Sequence, residues 1–166
     1  MTISMKVNNS IRVAESIAAP GPFSAALETI IQKAGYPYTR TSGLAWNGTV
    51  TLSGGAATIN MTSLARTGLS TIDATTYKLW LMYVMAAAAN TQSIVIVPGA
   101  SNGYGAADIG AEMILKPGSE RWVGPLQDGS QVVNSIAVDS THKNIDISSA
   151  HATASLQVIL LFAPGS

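Results

Sequence analysis

The sequence predicts a mainly β protein, an antiparallel β-sandwich of jelly-roll type with one short N-terminal helix and an extended N-terminal arm. Short β-rich runs separated by glycine, asparagine and proline continue from about residue 40 onwards. Only one stretch shows helical spacing, and many short antiparallel strands with a single helix are typical of a sandwich. A chain of 166 residues fits one such domain.

The arm and the helix are predicted from the first part of the chain. Residues 1–20 show weak alternation and lead into Pro20-Gly21-Pro22, which suits an extended arm closed by a stiff turn. Apolar residues then recur at helical spacing over about 23–34, and Gly35 is placed to end the helix. The predicted organisation is an arm over residues 1–20 and one β-sandwich domain over residues 21–166 that includes the helix.

About eight strands are predicted in the rest of the chain. Gly54-Gly55 separates two β-rich runs and predicts a hairpin, because glycine supplies the positive φ of a tight turn. The predicted strand 155–162 is expected to be central, because 156–162 is apolar at nearly every position, whereas 144–148 alternates and predicts a more peripheral strand with one wet face. The other predicted strands are 49–53, 56–61, 77–86, 93–97, 112–116 and 131–138.

The low charge predicts a surface covered by partners. Charged residues make up 11% of the chain, and nine basic and nine acidic side chains cancel, whereas ordinary soluble domains are about 25% charged. Without a basic surplus, neither nucleic acid nor an anionic membrane is expected as a partner. We expect a homo-oligomer, because an uncharged monomer is prone to self-association. The alternative is a domain kept soluble by its serine and threonine hydroxyls.

Two absences narrow the function classes. The chain has no cysteine, which removes a disulfide framework, a thiolate metal site and a cysteine nucleophile. Polar and charged residues interrupt residues 1–19, so we expect synthesis in the cytoplasm without a signal peptide. The longest apolar run, 79–89, is too short to cross a bilayer as a helix.

One motif would fit an enzyme. Residues 99–103 match the G-x-S-x-G pattern of a nucleophile elbow, with Ser101 as the nucleophile. An elbow needs a strand that enters a helix in a mostly parallel sheet, and this sequence predicts antiparallel strands. We therefore expect a long turn over 99–105, no catalytic residue and no enzyme, with a serine hydrolase using Ser101 as the remote alternative. The candidate partners of that serine are His142, His151, Asp128, Asp139 and Asp146.

No cofactor or metal site is predicted. His142 and His151 form no H-x-H pair beside a carboxylate, as a metal site of the cupin kind would require. Most aromatic side chains are expected in the core, and Tyr36, Tyr38 and Tyr104 are expected at an interface. The residues predicted as core are Trp46, Trp80, Trp122, Tyr77 and Tyr83.

Two segments, 91–102 and 115–120, resemble the β-sandwich structural proteins of tailed bacteriophage particles. The resemblance lies in low charge, richness in serine, threonine and alanine, and strands punctuated by Pro-Gly, and it covers residues from about 40 to 166. It implies a non-enzymatic virion protein that stabilises a capsid as a decoration or minor capsid subunit. Its implied partners are itself, as a homo-oligomer such as a trimer, and a major capsid or other virion protein. The alternatives are a tail or baseplate subunit and a carbohydrate- or receptor-binding β-sandwich module.

Overall fold

The structure is a computed structural model that describes residues 2–7, 11–16, 29–31, 43–66, 69–105, 109, 111–123 and 136–164. These residues form strands β1 to β13. Every pairing of strands whose register is described is antiparallel. The prediction of a mainly β protein is therefore confirmed. The chain divides into two compact units, Met1–Ala45 and Trp46–Ser166.

The first unit contains one three-stranded sheet of order β1-β2-β3. Its strands are β1 (Thr2–Val7), β2 (Ile11–Ser16) and β3 (Thr29–Ile31). The predicted helix over about 23–34 is not shown, because 29–31 pair with β2 as a strand and the rest of the segment lies outside the described residues. Threonine and two isoleucines are β-branched and stiff at χ1, which favours the strand. The predicted arm contains β1 and β2, and its boundary at residue 20 stays a prediction.

The second unit is built around two four-stranded sheets. We call the sheet of order β11-β8-β13-β4 the buried sheet and the sheet of order β10-β9-β12-β5 the alternating sheet. A separate pair of strands is formed by β6 and β7. The strands are β4 (Leu44–Thr51), β5 (Ala56–Asn60), β6 (Leu64–Arg66), β7 (Leu69–Ile72), β8 (Tyr77–Ala86), β9 (Ile94–Pro98), β10 (Met113–Leu115), β11 (Glu120–Val123), β12 (Asn144–Ser149) and β13 (Ser155–Pro164).

The two inner strands of the buried sheet are covered on both faces. Successive side chains of a strand point to opposite faces. In β8 the side chains 79–84 are at most 6% exposed, and in β13 the side chains 158–163 are at most 3% exposed. The predicted central position of 156–162 is confirmed, since β13 lies between β8 and β4.

The alternating sheet buries one face only. In β12, Ile145 and Ile147 are at most 1% exposed, whereas Ser148 is exposed and Asp146 is partly exposed. The predicted wet face is confirmed. The predicted peripheral position is wrong, because β12 lies between β9 and β5. Alternation reports which faces of a strand are covered, not which neighbours its backbone has.

The glycine turn has the predicted geometry but joins strands of different sheets. Gly54 and Gly55 have φ angles of 61° and 84°. Ser53 and Ala56 exchange two backbone hydrogen bonds of 3.0 and 3.3 Å across the turn. Beyond this bridge β4 continues into the buried sheet and β5 into the alternating sheet. Of the predicted strand 131–138, residues 136–138 are outside any strand and the rest lies outside the described residues.

Candidate functional site

The loop that follows β9 folds around one residue of β12. Asn144 accepts hydrogen bonds from Gly99 N and Tyr104 N at its carbonyl oxygen, both at 2.9 Å. Its own N–H donates to the carbonyl oxygen of Asn102 at 2.9 Å, and its Nδ2 donates to that of Ser101 at 2.9 Å. The predicted turn is therefore present over 99–104, and the structure adds that it is fixed to β12.

The residue types in this loop explain its tightness. A Cβ at Gly99 would lie 2.6 Å from Asn144 Cβ, and a Cβ at Gly103 would collide with the carbonyl oxygen of Gly99. Asn102 has a φ of 52°, in the left-handed region that asparagine tolerates better than most residues. Asp146 fixes the start of the loop, because its Oδ2 accepts from Ala100 N at 2.8 Å.

A second turn places a histidine beside a carboxylate. Asp139 Oδ1 accepts hydrogen bonds from Thr141 N at 2.6 Å, from Thr141 Oγ1 at 2.8 Å and from His142 N at 2.8 Å. His142 Nδ1 lies 3.1 Å from each carboxylate oxygen. The backbone N–H of Thr141, followed by the His142 side chain, holds the pKa of Asp139 well below its ordinary value.

The structure brings the candidate serine near this pair without bonding it to the histidine. Lys143 N donates to the carbonyl oxygen of Asn102 at 2.9 Å, so the 99–104 loop adjoins the 139–142 turn. Within the part of the chain that is described, no hydrogen bond joins Ser101 Oγ to His142. The left-handed residue of the loop is Asn102, whereas a nucleophile elbow strains the serine itself.

The other candidate partners have different roles. His151 Nδ1 accepts from Thr91 N at 3.3 Å. Asp146 Oδ1 accepts from Thr58 Oγ1 at 2.7 Å while its other oxygen holds the 99–104 loop. Asp128 lies outside the described residues. The side chains of His151 and Asp146 thus connect strands and turns.

Of the five aromatic residues predicted as core, three are buried, and one residue predicted at an interface is buried as well. Tyr104, expected at an interface, is 0% exposed; its hydroxyl donates to the carbonyl oxygen of Ile136 at 2.7 Å and accepts from Leu79 N at 3.1 Å. That prediction was wrong, because a glycine-rich neighbourhood does not show that the tyrosine between the glycines is folded inward. Trp46, Trp80 and Tyr83 are buried, and Tyr77 is half-buried. Tyr36 and Tyr38 lie outside the described residues, as does the side chain of Trp122.

The hydroxyl of the buried Tyr83 contacts the carboxylate of an exposed glutamate. Its hydroxyl donates to Glu120 Oε2 at 2.8 Å. Burial, reinforced by the hydrogen bond and the negative charge of Glu120, raises the pKa of Tyr83 above its ordinary value. The contact joins β8 to the edge strand β11, and the raised pKa keeps the Tyr83 hydroxyl protonated at physiological pH.

The outer face of the alternating sheet extends across all four of its strands, of which sequence analysis predicted a wet face only for 144–148. The strand registers place Ile114, Val95, Ser148 and Ala56 in one row across β10, β9, β12 and β5. A second row contains Val97, Asp146 and Thr58. The only charged residue in these two rows is Asp146, and both oxygens of its carboxylate accept hydrogen bonds. The period-two pattern of 94–97 and 144–148 was the signal that could have found this face.

Among the described residues, no three histidine, cysteine or acidic side chains are grouped so that they could hold a metal ion. No described helix has the length and apolar character needed to span a membrane. No model of a known protein family matches the chain, and no curated protein matches it.

Proposed function

We propose that this protein is a non-enzymatic virion structural protein that binds and stabilises a phage capsid as a decoration or minor capsid subunit. Copies made in the host cytoplasm associate with one another and with a major capsid or other virion protein. The two four-stranded sheets pack as an antiparallel β-sandwich of jelly-roll type. The sandwich is supported by the inward-facing Ile145 and Ile147 of the alternating sheet and by the covered faces of β8 and β13.

The observation that carries the proposal is the nearly uncharged outer face of the alternating sheet. Its exposed side chains are short and mostly uncharged, and Ile114 at one end is 50% exposed. Apolar side chains grouped on one face are typical of a surface that a partner covers. The 11% charge of the whole chain and its zero net charge favour the same role.

Co-sedimentation with assembled virions from the source of the gene tests the proposal. We expect the purified protein to sediment with the particles and Val95→Glu to lose this association, because the new carboxylate would be desolvated at the interface. Thr71→Glu, at an exposed position of β7, adds the same charge away from this face and should still bind. Failure of the unchanged protein to bind any particle would overturn the proposal.

Binding experiments with the same purified protein distinguish the capsid role from two related roles. A tail or baseplate subunit would sediment with isolated tails and not with empty heads. A carbohydrate- or receptor-binding module would bind glycans on an array without any particle. We expect binding to heads.

A serine hydrolase is the second candidate, favoured by one observation. The Asp139–His142 pair has the orienting contact that a catalytic base requires, and the loop carrying Ser101 adjoins it. Diisopropyl fluorophosphate labelling of the unchanged protein and of Ser101→Ala discriminates the two candidates. We expect equal background labelling; labelling and ester hydrolysis that both disappear in Ser101→Ala would replace the structural role with catalysis.

A further inference from the structure

The strand β10 forms one edge of the alternating sheet. It pairs with β9 on one side, with Met113 opposite Ile96, Ile114 opposite Val95 and Leu115 opposite Ile94. No strand in the described part of the chain pairs with its other side. An unpaired edge is a template for another strand.

The hydrogen bonds between β9 and β12 fix the direction of the backbone groups in β9. In an antiparallel pair, successive residues direct their N–H and C=O groups to opposite sides of the strand. Gly99 N donates to the carbonyl oxygen of Asn144, on the side of β12. Val97 and Val95 follow at every second position and therefore also direct their backbone groups toward β12.

The residues between them must then bond to β10. Ile96 and Ile94 face β10 and pair with Met113 and Leu115. Ile114, between those two, directs its N–H and C=O away from β9 to the open edge. Its side chain is also 50% exposed. This residue offers both backbone hydrogen-bonding groups and apolar surface at the same place.

The charges around Ile114 have opposite signs at equal distances. Glu112 precedes it and Lys116 follows it, and both side chains are exposed. In a second copy that lies antiparallel beside the first, the two charges follow one another in the reverse order. Glu112 would then face the second copy's Lys116 on each side of the centre, whereas a parallel copy would bring like charges together.

We propose that two copies of the chain pair through β10, antiparallel and about a two-fold axis at Ile114. The Ile114 residues of the two copies exchange two N–H···O bonds, and the two Glu112–Lys116 contacts set the register. Each four-stranded alternating sheet then continues into that of the other copy. The interface is isologous, as expected of a homodimer. This inference deepens the proposed function, since it identifies how copies of the assembling subunit recognise one another.

The opposite edge of the same sheet does not offer these features. In β5, Ala56 is already bonded to Ser53 in both directions, and the carbonyl oxygen of Asn60 accepts from Ser63 N at 3.0 Å. Turns thus close this edge at both ends, whereas in the described part of the chain the β10 edge has such a turn only at Lys116, whose carbonyl oxygen accepts from Ser119 N at 2.9 Å. It carries no charged residue that could set a register. The β10 edge is therefore the one that favours a second copy.

Charge reversal tests the pairing by sedimentation velocity. Lys116→Glu or Glu112→Lys alone places like charges on both sides of the axis, and we expect dimerisation at least about tenfold weaker. An equimolar mixture of the two single variants should recover dimers, because each contact then joins opposite charges. The double variant should recover them as well. Lys78→Glu, on β8, changes the net charge as Lys116→Glu does and should dimerise normally.

A cysteine crosslink tests the two-fold axis directly. The chain has no other cysteine, and hydrogen-bonded antiparallel residues have Cα atoms about 5.5 Å apart, within the range of a disulfide. Ile114→Cys should give a disulfide-linked dimer on mild oxidation, whereas Thr58→Cys on the β5 edge should not.

The outcomes separate this inference from the proposed function. A monomer at all accessible concentrations, reversal variants that dimerise as the unchanged chain does, or a mixture that fails to recover dimers would each overturn the β10 pairing. Particle binding that persists in those cases leaves the proposed function standing. Dimerisation through β10 without any particle binding would overturn the proposed function alone.

Discussion

The buried sheet and the alternating sheet use the same kind of antiparallel strand in different surroundings. In β13 six consecutive side chains, 158–163, are at most 3% exposed. In β12 buried isoleucines alternate with polar residues that reach the surface. The sequence patterns differ accordingly, an uninterrupted apolar run in one strand and a period of two in the other.

Because of this difference, the two sheets of the second unit contribute differently to the core and to the surface available for a partner. Every side chain in the middle of β8 and β13 contributes to the core, so these strands have no face left for a partner. In the alternating sheet one face packs into the core, and the side chains of the other face are available for recognition. Substitutions at neighbouring positions should therefore lower stability by similar amounts in the buried sheet and by very unequal amounts in the alternating sheet.

The largest expected effect is in the core of both sheets. Ile159→Ala and Leu160→Ala, on opposite faces of β13, should each lower the free energy of unfolding by about 2–5 kcal/mol, because each leaves a cavity. Ile147→Ala in β12 should cost a similar amount, whereas Ser148→Ala should change it by less than about 0.5 kcal/mol. Urea denaturation measures all four. A large loss at Ser148 would show that the outer face of the alternating sheet is covered within the monomer.

A second prediction compares two glycines in turns of the second unit. Gly103→Ala should lower the free energy of unfolding by more than Gly54→Ala, because its Cβ meets the carbonyl oxygen of Gly99. At Gly54 nothing lies within 4 Å of an added Cβ, so the cost is only that of a positive φ, about 1–2 kcal/mol. Thermal unfolding of the two variants measures the difference. Equal losses would mean that the 99–104 loop can relax away from β12.

A third prediction compares the side chains that hold a turn to each sheet. Asn90 is 6% exposed; its Nδ2 donates to the carbonyl oxygen of Ser155 at 2.8 Å and its Oδ1 accepts from Ser155 N at 2.9 Å. Asn90→Ala should cost about 1–3 kcal/mol, because the partly buried N–H of Ser155 loses its partner, while the Ser155 carbonyl oxygen keeps only the bond from Ala87 N at 3.0 Å. Asp146→Ala should cost less, since water can replace a carboxylate at the partly exposed surface. Chemical denaturation of both variants measures the two losses in the free energy of unfolding. A larger loss for Asp146→Ala than for Asn90→Ala would contradict the prediction.

The smallest expected effect concerns pH. The pKa of Asp139 is lowered in the folded protein, so its contribution to stability is present above the pKa of the unfolded chain and is lost as the pH falls through the folded value. Below about pH 4 the unchanged protein should lose stability more steeply than Asp139→Asn. Melting temperatures measured from neutral to acidic pH test this. Parallel curves for the two proteins would show that the turn does not hold the carboxylate ionised.

Periodicity predicted the parts of the fold that depend on burial. The strands near 77–86, 93–97, 144–148 and 156–162 are present, because apolar runs and alternation directly report the covered faces. The helix over about 23–34 was predicted from apolar spacing and from Gly35 at its end, and in a short segment these signals do not exclude the strand that β-branched residues favour at 29–31. The short strands β6, β7 and β11 were not predicted, whereas the equally short β10 was predicted within 112–116.

The candidate site was less predictable because it depends on contacts between distant residues. The sequence indicated a turn at 99–105 but not that Asn144 holds it. Glu112 and Lys116 are visible on either side of Ile114, yet their significance appears only when β10 is placed at an edge. Topology, rather than residue type, makes that segment a candidate interface.

The four hydrogen bonds between Asn144 and the 99–104 loop should couple the hydrogen exchange of the loop to that of β12. They join residues 43 positions apart at the Ser101 contact, so the loop has no partners until β12 is in place. The amide protons of Gly99, Tyr104 and Asn144 should therefore exchange with deuterium as one group. Their common rate would report the opening of β12 rather than local motion of a glycine-rich loop.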